Sequence, residues 1–214
     1  HSPTANKLFA ASGTAIYDVT SSGSLGSAVV SSLTNAKFQF VNFTTAGGSF
    51  LFIVNGADAP RHYNGSAWAT PSITGITPAN IKNVVAYKER LFFIMKDTLK
   101  FSYLAVNAVA VSATEFDLGS VFNRGGNLVA AGTLTRDGGS GSDDYIAFIT
   151  SEGEVAVYTG TDPSSATAWS LVGVFKIARP IGDRCVVNVG AELIVITESG
   201  FVPMTQMYAE SETN

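Results

Sequence analysis

The sequence predicts an all-β fold: a β-propeller, or a propeller-like arc of antiparallel blades, with four to five repeat units. Three observations predict it. Apolar runs are short, rich in Val, Ile, Phe and Tyr, and broken by Gly, Asn, Asp and Ser. One strand-turn-strand unit recurs five times, starting at Leu8, Leu51, Leu91, Ile146 and Leu193. Those starts lie roughly 40–55 residues apart, close to the period of four-stranded propeller blades. A tyrosine near the end of a hairpin is followed across a turn by another aromatic residue. A β-sandwich or an irregular stacked-sheet domain is the competing architecture.

The first unit is Leu8–Val19, with its turn at Ser12-Gly13-Thr14. The second runs from Leu51 through Asn55-Gly56 and resumes at Arg61-His62-Tyr63. The third is Leu91–Tyr103, the fourth Ile146–Tyr158 and the fifth Leu193–Met204. Asn55-Gly56, Glu152-Gly153 and Ser199-Gly200 place a glycine where a turn needs positive φ. Tyr63 with Trp68, and Tyr158 with Trp169, are aromatic pairs poised to clamp neighbouring strands; Tyr103 to Phe116 is a looser version. Each pair contributes about 0.5–1 kcal/mol. A further strand precedes four of the units: Phe38–Phe43, Val84–Tyr87, Leu128–Leu134 and Cys185–Val189. The one helix candidate, Thr77–Asn83, has an N-cap threonine and a proline at its first position. It is too short to be more than a turn. The segment Thr135–Asp144 reads as a mobile hairpin loop or connector.

Residues 1–207 read as a single propeller-like domain and 208–214 as a polar tail. The start, His1-Ser2-Pro3-Thr4, has no initiator Met and no basic-then-apolar signal pattern, so the chain reads as a fragment or processed form of a longer protein. No apolar run reaches the ~18 residues of a membrane-spanning helix. Of 214 residues, 46% are hydrophobic and only 14% charged. Such low charge fits a surface largely hidden in sheets or in contacts with other subunits. The formal net charge is −4, which argues against a generic phosphate-backbone binder.

The inventory for chemistry is thin. The two histidines are His1 and His62, and His62 reads as an ordinary strand residue. Cys185 is the single cysteine, so no internal disulfide forms, and its apolar neighbours predict a buried thiol. No phosphate loop, dinucleotide fingerprint or nucleophile elbow is present. No metal site and no cofactor are expected. Asp137, Asp143 and Asp144 are weak calcium-loop candidates, because their spacing matches no calcium-binding repeat. Arg179 and Arg184 are the closest approach to the arginine cluster of a sialidase, but they read as surface or subunit-contact residues. Trp68 and Trp169 fall at comparable turns and, with the two arginines, are candidate interaction-loop residues. Asn42 and Asn64 head glycosylation-type triplets that read as chance matches.

Several stretches resemble known proteins. Val54-Asn55-Gly56-Ala57-Asp58-Ala59-Pro60-Arg61-His62-Tyr63-Asn64-Gly65 resembles a turn common in structural proteins of tailed bacteriophages. Lys88–Phe93 with Leu99–Tyr103, Ala113–Gly119, and Ile149–Tyr158 with Asp162-Pro163 resemble other strands and turns of the same proteins. Together they span residues 51 to about 200, and they identify kinship with the propeller-like tail proteins of short-tailed phages and prophages. That family covers tail-nozzle, tail-tubular and packaged-DNA-stabilisation types. The resemblance implies a non-enzymatic virion component in the tail. It implies copies of itself in a ring, such as a hexamer, below the portal and adaptor, with other tail proteins as neighbours. The ring extends the DNA channel and retains or passes the genome without sequence-specific binding. A slightly acidic chain suits a channel through which DNA slides. The alternative is a carbohydrate- or receptor-binding propeller using Trp68 and Trp169 as platforms. A glycan-cleaving enzyme is the third reading.

Overall fold

The computed structural model describes residues 6–137 and 142–211. The chain is all-β and built of successive antiparallel blades of the β-propeller type, as the repeat predicts. The described residues fall into two compact units. One lies within His1–Phe93 and Tyr103–Thr114, the other within Ile94–Ser102 and Glu115–Asn214.

Strands β1 (Phe9–Ser12) and β2 (Ala15–Asp18) form a two-stranded hairpin, and Val30 bridges the other side of Ile16. The next sheet is a four-stranded meander of β3 (Gln39–Thr45), β4 (Gly48–Val54), β5 (Arg61–Tyr63) and β6 (Trp68–Ala69). Tyr63 and Trp68 are directly opposed in β5 and β6, with ring centroids 5.5 Å apart, so this predicted clamp exists. The Thr77–Asn83 candidate is a single 3-10 turn, Pro78–Asn80. A second four-stranded meander follows: β7 (Ile81–Tyr87), β8 (Arg90–Met95), β9 (Lys100–Tyr103) and β10 (Thr114–Asp117).

The third meander is β11 (Leu128–Asp137), β12 (Ser142–Thr150), β13 (Glu154–Gly160) and β14 (Trp169–Lys176). Its long first hairpin pairs Thr135 with Asp144 and Asp137 with Ser142, so most of the segment read as loop or connector is strand. Gly153 turns β12 into β13 at φ 76°, and a Cβ there would meet the Ile177 carbonyl oxygen at 2.4 Å. Tyr158 and Trp169 stack at 5.3 Å, the second predicted clamp. The third differs: Phe116 lies on Phe101 at 5.0 Å and not on Tyr103, which is two residues farther along the same face of β9. The last sheet has three strands, β15 (Val186–Val189), β16 (Glu192–Thr197) and β17 (Gly200–Pro203). A helix, α1 (Met204–Ser211), follows and crosses the boundary read at residue 207. Its two methionines, three residues apart, lie on one face, and Met204 is fully buried.

Alternation along the second strand of each sheet sets which sheet it meets. Phe9 and Ile16 turn toward Leu51 and Ile53. Phe52, from the opposite side of β4, stacks on Phe93 of β8 at 5.7 Å. In the second unit Phe101 stacks on Phe148 at 4.3 Å. Ala147, Ile149, Val155 and Val157 then form one core with Leu193 and Val195. Each buried Phe, Leu or Ile contributes about 1.5–3 kcal/mol. Gly132 in β11 lets the last sheet approach closely, since a Cβ there would lie 2.4 Å from a Leu193 methyl.

Candidate functional site

The residues that carry the family resemblance form a hydrogen-bonded corner. Asn55, buried at the end of β4, accepts through Oδ1 from the Ala57 and Asp58 amides at 3.1 and 2.8 Å. Its side-chain nitrogen donates to Asp58 at 2.6 Å and to the Asn35 carbonyl at 3.2 Å. Asp58 also accepts from the Thr34 amide and hydroxyl, both at 2.8 Å. Burial pushes the Asp58 carboxyl up, but the bonds from Asn55 and Thr34 outweigh it and hold the group below the usual carboxylate range. Gly56 supplies φ 69° where a Cβ would press within 3.1 Å of Lys82. Farther on, the Tyr63 hydroxyl donates to the Gly65 carbonyl at 2.8 Å, and Asn64 Oδ1 accepts from Ser66 and Ala67. The side chains of Asn55, Asp58, Tyr63 and Asn64 thus all bond backbone.

Trp68 is half-buried, with Phe9 edge-on at 5.0 Å and Tyr63 tilted at 5.5 Å. It lines an open apolar groove of about 280 Å³ with Leu8, Ile16, Phe40, Leu51 and Ile53. Lys7 and Asp18 close an ion pair of 2.6 Å beside it. The hydrogen bond from Lys7 lowers the Asp18 carboxyl to about 2. Trp169 is only 6% exposed under its own strands and presents no platform to solvent. The two tryptophans therefore share a sequence position without sharing an environment.

In the second unit, an open polar cleft is lined by Arg124, Glu152, Ile177, Ala178, Arg179 and Glu198. Arg179 pairs with Glu152 at 2.6 Å, and Arg124 donates to the Glu152 carbonyl oxygen at 3.2 Å. The second arginine of the cleft is thus Arg124. Arg184 lies exposed in the connector before β15 and is not among its lining residues. Glu154, which sequence reading passed over, is fully buried. Its carboxylate accepts from the Asn123 and Arg124 amides, at 3.0 and 2.7 Å, and fastens the β10–β11 connector. Its position after a turn glycine gave no hint of that partner.

Asp144 accepts from Thr135 Oγ1 at 3.0 Å across the hairpin. The side chains of Asp137 and Asp143, and residues 138–141, lie outside what the structure describes. Among the described residues, no three of His, Cys, Asp and Glu come together as metal ligands. Cys185 is buried, as its neighbours predict. His62 is half-buried in β5 against Phe50, edge-on at 5.3 Å, and burial lowers its pKa. No described helix is long and apolar enough to cross a membrane.

No protein-family model matches the sequence, nor does any curated protein. Among solved structures, the chain is similar to one in the crystal structure of BBS1N in complex with ARL6DN, soaked with mercury. Identity is 16%, covering 92% of this chain and 73% of that one, with a TM-score of 0.41. At that identity the likeness says nothing about function.

Proposed function

We propose that the chain is a structural subunit of a tailed-phage virion, of the tail-nozzle or tail-tube type. It forms a ring that extends the DNA channel below the portal and retains or passes the genome. The observation that carries this reading is the corner from Asn55 to Gly65: the residues that resemble phage tail proteins are spent on locking backbone. The same holds for Glu154, whose buried carboxylate fastens a connector. Stiff blades with polar groups tied up internally suit a load-bearing ring. A net charge of −4 suits a lumen past which DNA slides.

Negative-stain electron microscopy of the purified chain, alone and with a portal–adaptor assembly, tests the reading. Rings that seat coaxially on the adaptor support it. Failure to seat under conditions where other tail components do overturns it. The carbohydrate-binding alternative relied on paired tryptophan platforms, and the burial of Trp169 takes away one of the two.

A further inference from the structure

We infer that the groove between the first hairpin and β3–β4 accepts an extended strand of another protein, apolar at alternate positions, which pairs with the open edge of β1. An open backbone edge and an uncovered row beside it carry the inference. In each later sheet the second strand has a partner on both sides: β4 between β3 and β5, β8 between β7 and β9, β12 between β11 and β13, β16 between β15 and β17. By the repeat, β1 is the counterpart of these second strands, and no described strand stands before it. The Leu8 carbonyl accepts from the Val19 amide at 2.9 Å, so Leu8, Ala10 and Ser12 bond across to β2. The N–H and C=O groups of Phe9 and Ala11 therefore point the other way, where no described residue takes them. Ile16, opposite Ala11, fits this register, since its own N–H and C=O go to Val30.

The uncovered row lies on β3. Phe40 stands opposite Ile53. The same register position is Ala131, opposite Phe148, in the third meander and Val186, opposite Val195, in the last sheet. Ala131 is 3% exposed and Val186 packs against the core, whereas Phe40 is 66% exposed. First strands otherwise lie against one another, β3 on β7 and β11 on β15. No described strand before β1 does the same for the Phe40 side of β3. The result is the apolar groove of about 280 Å³, with Phe9, Ala11 and Ile16 on one side and Phe40, Leu51 and Ile53 on the other. Its charged lining residue, Lys7, is already paired with Asp18. The occupant's inward side chains are therefore apolar and uncharged. Residues opposite Phe9 and Ala11 share their face, so those inward residues are also the ones that bond β1. Main-chain bonds then give affinity and the groove selects alternate side chains. A small apolar molecule would leave the Phe9 and Ala11 groups unmet. The strands of a second copy are already paired in their own sheets, so the occupant is a different polypeptide. The inference holds whether or not the chain belongs to a phage tail.

The test is an NMR titration of the isotope-labelled 214-residue chain with the synthetic peptide acetyl-KTVTLTVTK-amide, up to about 1 mM. Saturable shifts are expected at the amides of Phe9, Ala11 and Phe40, with slowed hydrogen exchange at the first two. The same peptide N-methylated at its valines and leucine keeps the side chains and loses the donors that face β1. It is expected to bind more than about tenfold more weakly. Phe40→Asp, at an exposed site, is expected to weaken binding of the parent peptide by a similar factor. Absence of shifts at about 1 mM overturns the inference, as do shifts confined to another sheet edge. Equal binding of the N-methylated peptide means apolar contact without strand pairing, and overturns it. Phe9 and Ala11 amides already protected in the peptide-free chain also overturn it. Protection independent of chain concentration would mean the chain fills its own groove, and protection that grows with concentration would mean a second copy does.

Discussion

The side-chain nitrogen of Asn55 donates to the carboxylate of Asp58 at 2.6 Å, and the same carboxylate holds Thr34 from the connector between the first two sheets. One three-residue step in sequence therefore fastens a segment more than twenty residues upstream.

Removing either end breaks a network anchored on the buried Asn55, with Asp58 half-buried and Thr34 exposed. Asn55→Ala and Asp58→Ala are each expected to cost about 1–3 kcal/mol, measured by urea unfolding. Their effects should be far from additive, because the two residues share one network. Asp58 titrates below the usual carboxylate range when folded. Its contribution is thus complete above the ordinary Asp pKa and is lost as pH falls through the folded value. In Asp58→Ala, that part of the acid dependence disappears.

His62 gives the opposite sign. Burial favours the neutral imidazole, so its folded pKa is below the ordinary histidine value. The unfolded chain then takes up the proton first, and stability falls as pH drops through the ordinary histidine range. NMR titration is expected to place the His62 midpoint below that of a free histidine. His62→Phe should flatten the stability profile in the same window; an unchanged profile would assign the dependence elsewhere.

The turn between β7 and β8 carries no glycine, yet Lys88 and Glu89 stand at φ 44° and 59°. Left-handed backbone is costly for such residues. Glu89→Gly is expected to raise stability by about 0.5–1 kcal/mol, read as a shift of the thermal midpoint. The backbone bond from Asn107 to the Glu89 carbonyl survives the change.

Glu154→Leu keeps the bulk but deletes the acceptor of the Asn123 and Arg124 amides. A loss of about 1.5–3 kcal/mol is expected. Hydrogen exchange at those two amides should rise more than at the β12–β13 ladder. Glu154→Gln keeps one carbonyl oxygen and should lose less.

Much of the fold was legible because strand periodicity and turn glycines are local signals. The five hairpins, the clamps Tyr63–Trp68 and Tyr158–Trp169, and the burial of Cys185 all follow from neighbours in sequence. The pairing of Phe116 with Phe101 was not legible, since Phe101 and Tyr103 share a face of β9 and only the register of the outer strand decides between them. Helix α1 escaped because two methionines in eight mostly polar residues make no periodic signal. For the candidate site, Trp68 and Trp169 looked equivalent, yet only one reaches an open groove. Arg124, which sequence reading did not single out, lines the cleft with Arg179, because Glu154 holds the β10–β11 connector at Asn123 and Arg124. Such long-range ties leave no pattern along the chain.

The alternating rows of the sheets also bear on how such a chain can change in length. In the third meander the row of Ala147, Ile149, Val155 and Val157 faces Leu193 and Val195 of the last sheet. Inserting a single residue within β12 would swap its rows, turning Ala147 and Ile149 away from Leu193. A change of length by one residue is thus confined to the turns and connectors and excluded from the inside of such a strand.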